Sequence, residues 1–299
     1  MGAHAPTGSH SLTVGLVCTV GVGPERGGRA GNEDNYLVCR DGRIVWREGE
    51  REHVTTVAAQ PTTLLAVADG MGGHEDGEIA SAAAVQALSR LFLAAAPPKP
   101  EEALRHFVLD AHLRLRERLA VDGRVKMGTT LTVAWVIADR CFWVQVGDSR
   151  LYHWRRGRIV RVTRDQTRAE FARRDNRAEP QNAFNLSQNF IYGSRGLGDD
   201  RGLRLDLGID TGSFSLQEGD RVVLCTDGLS GRVEDALIAD VLDHVAEPGA
   251  CAVSLMERAI AHHSDDNITV MVARVDRAFG VGAPDPDEWS EEDNTLVPL

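Results

Sequence analysis

The chain has 299 residues, 42% of them hydrophobic, and a formal net charge of −11. This length and apolar content describe a globular protein of one large domain or two small ones. The acidic balance excludes a nucleic-acid backbone binder, which needs a basic face. Five cysteines, at 18, 39, 141, 225 and 251, form no CxxC pair, which suits a reduced, cytoplasmic protein without a disulfide framework.

In chain order, residues 1–10 are polar and expected to be flexible. Their start, "MGAHAP", fails the myristoylation pattern because Pro6 stands where Ser or Thr is required. "LTVGLVCTVGVG" (Leu12 to Gly23) reads as a first β-strand. No Lys or Arg precedes it, as a signal peptide would need, and it is too short to span a bilayer. "NYLVC", "GRIVW" and "HVTTVAA" are weaker strands, and "GRIVWREGEREHVTTV" is hairpin-like. "LLAVADG" is an apolar strand running into an aspartate. "GEIASAAAVQALSRLFLAAA" reads as a helix with Ala80, Ala83, Ala84, Ala87, Leu88 and Leu91 on one face, stopped by "PPKP". A second helix, "EEALRHFVLDAHLRLRERLA", stripes Leu104, Phe107, Val108, Ala111, Leu115 and Leu119. "TLTVAWVIADRCFWVQVGDSRLYHW" holds two β-rich runs joined by "ADR", a hairpin. "DRVVLCTDG" and "NITVMVARV" are β-branched strands, and the helix "CAVSLMERAIAHH" precedes the last of them. Helices falling in pairs between strand blocks favour antiparallel sheets covered by helices over a doubly wound parallel sheet. The expected organisation is one domain over residues 11–276 and a mobile acidic tail over 277–299.

Three strands share a feature. "LLAVADG" ends on Asp69, "VVLCTDG" ends on Asp227, and "NITVMV" follows Asp265 and Asp266. A buried carboxylate is costly unless paired or bound to metal, and oxygen-only ligands suit hard ions such as Mg²⁺ or Mn²⁺. Singly, each Asp-Gly is also an ordinary turn pair. Gly70 can offer its carbonyl to a metal, and Gly70, Gly72 and Gly73 let a phosphate approach the backbone closely. "GRAGNEDNYL" adds Asn32, Glu33 and Asp34, with Arg29 nearby as a bidentate phosphate ligand or a surface arginine. "CTDGLSGR" (Cys225 to Arg232) has Cys-x6-Arg where thiol phosphatases have Cys-x5-Arg, and burial is the usual fate of such a cysteine.

"RAGNED", "ADGMGGHEDGEIAS", "GTTLTVAWV", "VGDSRLYHW", "LCTDGLSGRV" and "SDDNITVMV", in this order, resemble the bacterial metal-dependent protein serine/threonine phosphatases of the PPM (type 2C) family. The resemblance covers nearly the whole chain from Leu12 to Val275. It implies an α+β fold, a four-layer α/β/β/α sandwich of two antiparallel sheets flanked by helices. It implies a centre of two tight Mn²⁺ or Mg²⁺ ions. In it Asp69 bridges both metals, Gly70 ligates one through its carbonyl, and Asp34, Asp227 and Asp266 hold the other directly or through water. Asp148 would serve a weaker third ion with Asp227, Arg29 would bind the substrate phosphate, and His74 would be the general acid. A metal-activated hydroxide would hydrolyse phosphoserine and phosphothreonine in phosphorylated proteins, opposing bacterial Ser/Thr kinases. Neither nucleic acid nor membrane is an expected partner, and a monomer is expected. Two stretches depart from the family: residues 40–63 are longer than usual, and the flap region 165–200 is Asn/Gln-rich and lacks the usual His-Pro approach. Alternatives are a dedicated phosphatase of an anti-sigma-factor antagonist and a pseudophosphatase that binds phosphoproteins without turnover. No GxxxxGK[ST] exists to support a nucleotide triphosphatase.

Overall fold

The computed structural model describes residues 11–71, 75–94, 96–122, 128–167, 170, 191–192 and 209–277. Two antiparallel sheets stack face to face. One has the order β1 (Ser11–Thr19), β14 (Ile268–Arg277), β13 (Arg221–Cys225), β9 (Arg150–Arg155), β10 (Arg158–Arg161). The other has the order β12 (Asp210–Ser215), β8 (Arg140–Val146), β7 (Leu131–Ile137), β5 (Thr62–Met71), β2 (Asp34–Arg40), β3 (Arg43–Glu48), β4 (Arg51–Thr56). The short pair β6 (Gly128–Thr129) and β11 (Ile191–Tyr192) extends the end of β5.

Helices α1 (Glu75–Leu93) and α2 (Pro100–Asp122) cover the second sheet. The one-turn α3 (Asp227–Ser230), α4 (Asp235–His244) and α5 (Pro248–Ala261) cover the first. The layers are therefore α/β/β/α, with one apolar core between the sheets and one under each helical layer. This explains the long apolar runs. Along β5, Leu64, Ala66 and Ala68 face the helices, while Leu65 and Val67 face the opposite sheet. On β14, Val270 and Val272 face the helices, and Met271, Ala273 and Val275 face inward. A strand buried on both faces reads as a run and not as an alternation. Each fully buried Leu or Val contributes about 1.5–3 kcal/mol, so these central strands hold the site's framework rigid.

Two expectations need correction. The buried stripe of α1 runs through Ala80, Ala84, Val85, Leu88 and Phe92, while Ala83, Ala87 and Leu91 are only half-buried. On α2, Leu104, Val108 and Ala111 are buried as expected, and His112 joins them; the side chains of Leu115 and Leu119 lie outside the described residues. The third long helix, α4, buries Ile238, Val241 and Leu242 and was not anticipated. The expected hairpins form at β7–β8 and at β3–β4, the latter with Glu48 opposite Arg51. No helix among the described residues is long and apolar enough to cross a membrane.

Candidate active site

The site lies at one end of the sandwich because four chain turns meet there. In the second sheet Asp34 opens β2 directly opposite Asp69 near the end of β5. In the first sheet β13 stops at Cys225, Thr226 caps α3, and Asp227 is the first helical residue. Asp266 and Asn267 precede β14. The two sheets are tied at this end through one carboxylate: Asp34 Oδ2 accepts the Thr226 hydroxyl at 2.8 Å and the Thr269 hydroxyl at 2.7 Å. Asn267 adds a second tie, accepting the Glu33 N–H at 2.8 Å and donating to the Gly31 carbonyl at 2.9 Å.

The electrostatics are those of a site short of positive charge. Burial raises the Asp34 carboxyl despite the two threonine hydroxyls, and Asp227 and Asp266 raise it further. Asp69 is pushed well above its ordinary value by burial, then by Asp227, Asp34, Asp148 and Asp266. Asp227 is raised by burial and by Asp266. Its Oδ1 is buried without a hydrogen-bond partner. A buried orphan oxygen costs about 1–3 kcal/mol, more when charged, and mutually repelling carboxylates add to that cost. A hard divalent cation removes both penalties, so this donor set fits one. As they stand, no three acidic, histidine or cysteine side chains among the described residues close into a ready cage. Asp266 is gripped by Arg29, whose Nε and Nη2 donate to its two carboxylate oxygens.

Gly70 has a tighter reason to be glycine than phosphate access. A Cβ there would stand 2.2 Å from the Gly77 carbonyl oxygen and 2.6 Å from that of Glu33. The start of α1 thus packs directly on the end of β5, and Ser81 of α1 donates to the Glu33 carbonyl at 2.7 Å. Gly228 is similarly constrained, since a Cβ would meet the Asn267 carbonyl oxygen at 1.8 Å. Gly72, Gly73 and His74 lie outside the described residues, as does most of the 165–200 flap region.

Asp148 occupies the corner between β8 and β9, where the chain passes from one sheet to the other. Burial, then Asp227 and Asp165, raise its carboxyl. Arg150, two residues on, holds both Asp165 oxygens at 2.9 and 2.7 Å and is an ion-pair partner at the root of the flap region. Cys225 is fully buried, and burial pushes its thiol up to about 12. That removes the thiolate a cysteine phosphatase would need. The sequence reading missed Thr226, Thr269 and Asn267. Both threonines look like ordinary strand residues, and only the pairing of β13 with β14 brings their hydroxyls together.

Residues 52–261 match the family described as Protein phosphatase 2C. The chain belongs to that family of phosphatases. Over 229 residues it is 34% identical to the serine/threonine protein phosphatase PstP of Mycobacterium tuberculosis, covering 74% of this chain and 42% of that one. It therefore spans less than half the length of that relative. A serine/threonine phosphatase of Listeria welshimeri, stp, is 26% identical over 214 residues, or 70% of this chain and 83% of that one. Among solved structures, the catalytic domain of PstP in complex with two manganese ions is 28% identical with a TM-score of 0.68, covering 89% of this chain and 99% of that one. Staphylococcus aureus Stp1 shares the fold at a TM-score of 0.73 and 23% identity, over 93% of this chain and 100% of that one.

Proposed function

We propose that the chain is a metal-dependent protein phosphatase that hydrolyses phosphoserine and phosphothreonine with Mn²⁺ or Mg²⁺. The observation that carries this is the meeting of Asp34 and Asp69 from one sheet with Asp227 and Asp266 from the other, around an orphaned carboxylate oxygen. Two divalent ions would supply a water of lowered pKa and neutralise phosphoryl charge. Asp34, Asp69, Asp227, Asp266 and the Gly70 carbonyl would hold them, with Asp148 at a weaker third position. Arg29, more than half exposed, orients a non-bridging phosphate oxygen pair through its fork. His74 protonates the departing serine or threonine oxygen, a role suited to a side chain titrating near neutrality. No covalent intermediate is required, in keeping with the buried Cys225. The substrates on this reading are phosphorylated Ser/Thr kinases or their targets, met by a cytoplasmic monomer.

The test is hydrolysis of p-nitrophenyl phosphate and of a phosphothreonine peptide, with Mn²⁺ and after chelation, by wild type and Asp69→Asn. Activity that needs metal and disappears in Asp69→Asn is expected. Full activity after exhaustive chelation would sink the reading. A chain that binds phosphopeptide without turning it over would instead be a pseudophosphatase. His74→Ala should lose about 10²-fold or more on the peptide and much less on the nitrophenyl ester, whose leaving group hardly needs a proton.

A further inference from the structure

Asp34 has a feature that family membership does not assign. It is 2% exposed, and its Oδ2 already accepts two hydroxyl donors, Thr226 at 2.8 Å and Thr269 at 2.7 Å. We propose that Thr226, Thr269 and Cys18 are positioning residues that commit Asp34 Oδ2 to the protein and leave Oδ1 as its single metal-facing atom. This rests on the metal-dependent reading above.

The hydrogen count fixes the direction of each bond. Thr226 Oγ1 accepts the Thr269 N–H at 3.1 Å, so its own proton is aimed at Asp34. Thr269 Oγ1 lies close to two groups, Asp34 Oδ2 at 2.7 Å and Cys18 Sγ at 3.2 Å, and has one proton to give. The sulfur already takes two N–H donors, from Asn32 Nδ2 at 3.3 Å and Arg47 Nη1 at 3.4 Å. The Asn32 amide cannot flip freely, because its Oδ1 accepts the Asp34 N–H at 3.0 Å. With its lone pairs occupied, Cys18 donates its S–H to Thr269 Oγ1, and Thr269 gives its proton to Asp34. The other S–H acceptor in reach, the Asp34 carbonyl, is 3.9 Å away. Arg47 comes from the β3–β4 hairpin, where Asn35 Nδ2 donates to its carbonyl at 2.6 Å. The β3–β4 hairpin thus braces Cys18, which lies behind Asp34. Outer-shell hydrogen bonds of this kind typically carry 10–100-fold in metal affinity.

The experiment is calorimetric titration of the full chain with Mn²⁺, beside thermal melts. Thr269→Val keeps the shape and removes the hydroxyl; Thr269→Ser restores it. We expect about a tenfold or larger loss of Mn²⁺ affinity in Thr269→Val, recovery in Thr269→Ser, a loss of similar kind in Thr226→Val, and a smaller one in Cys18→Ala that Cys18→Ser reverses. Wild-type Mn²⁺ affinity in folded Thr269→Val overturns the proposal. If that variant does not fold, unchanged affinity in Thr226→Val and Cys18→Ala together overturns it equally. Failure of the underlying reading is a different result: wild type would bind no more Mn²⁺ than Asp34→Ala, and the positioning proposal would fall with it.

Discussion

Arg29 grips Asp266 with both arms of its fork, Nε on Oδ1 at 2.8 Å and Nη2 on Oδ2 at 2.9 Å. The Arg29 side chain is 55% exposed, so this pair is a weak tie, worth about 0–1 kcal/mol. It can be given up for a phosphate dianion, which the same fork fits. Arg29→Ala should therefore cost about 1.5–3 kcal/mol of substrate recognition, one to two powers of ten in kcat/KM, mostly through KM. Mn²⁺ affinity should hold or rise, because Asp266 is released from its partner. Steady-state kinetics with calorimetry separate the two effects, and lost metal binding with an unchanged KM would make Arg29 a structural residue.

Gly70 should not tolerate even alanine. The added Cβ would meet two backbone oxygens, at 2.2 and 2.6 Å, and backbone cannot step aside as a flexible side chain can. Overpacking of this kind costs about 1–3 kcal/mol, and in a chain of this size each kcal/mol lowers Tm by roughly 2–4 °C. Gly70→Ala should melt several degrees below wild type in chelator. An unchanged melt would mean that α1 can move off the end of β5.

These two residues show what was legible in the sequence. Asp69 and Asp227 could be read as site residues because each follows an apolar run that demands burial on both faces. Gly70 was legible as special through its carbonyl, but the packing that also demands glycine there was not, since its close neighbours come from Glu33 and Gly77. Helix α4, "DALIADVLDH", hid its apolar stripe among three aspartates in ten residues. Strand β12, "DTGSFS", has little β-propensity and owes its conformation to pairing with β8. Thr226 and Thr269 were invisible because a hydroxyl's partner across two sheets is a tertiary fact.

Asp220 anchors the opposite end of β13 from the site. It is 1% exposed and takes Arg155 Nε and Nη2 at 2.8 and 2.7 Å, with His153 Nε2 at 3.0 Å. Burial alone would raise its carboxyl, but the Arg155 and His153 contacts outweigh it and hold the group below its ordinary value. A depressed carboxyl contributes stability that is fully present above the unfolded value of about 3.9 and is lost as pH falls through the folded one. Asp220→Asn, which removes a fully buried carboxylate from its contacts with Arg155 and His153, should cost about 3–5 kcal/mol at pH 7. The gap to wild type in urea melts should stay level from pH 8 to pH 5 and close only in stronger acid. A gap that already shrinks between pH 8 and pH 5 would assign the effect to another group.

Asp148 separates fold from function at the corner between the sheets. The corner is held without its side chain. Gln145 Nε2 donates to the Gly147 and Ser149 carbonyls, each at 3.1 Å, and the Thr132 hydroxyl donates to the Ser149 carbonyl at 2.9 Å. Gln166 closes it, accepting the Gly147 N–H at 2.7 Å and donating its own N–H back to the Gly147 carbonyl at 3.0 Å. Asp148→Ala should therefore fold normally, and removing a carboxyl that Asp227 repels should not lower stability. Two tight Mn²⁺ ions should still bind, because Asp34, Asp69, Asp227 and Asp266 remain. Turnover should fall if Asp148 serves a weaker third ion beside Asp227. Wild type would then keep gaining activity with added Mn²⁺ after the tight sites fill, and Asp148→Ala would plateau with them. Identical activity titrations for both proteins, with a lowered melting temperature in the mutant, would make Asp148 a corner-forming residue and leave turnover to the two tight ions.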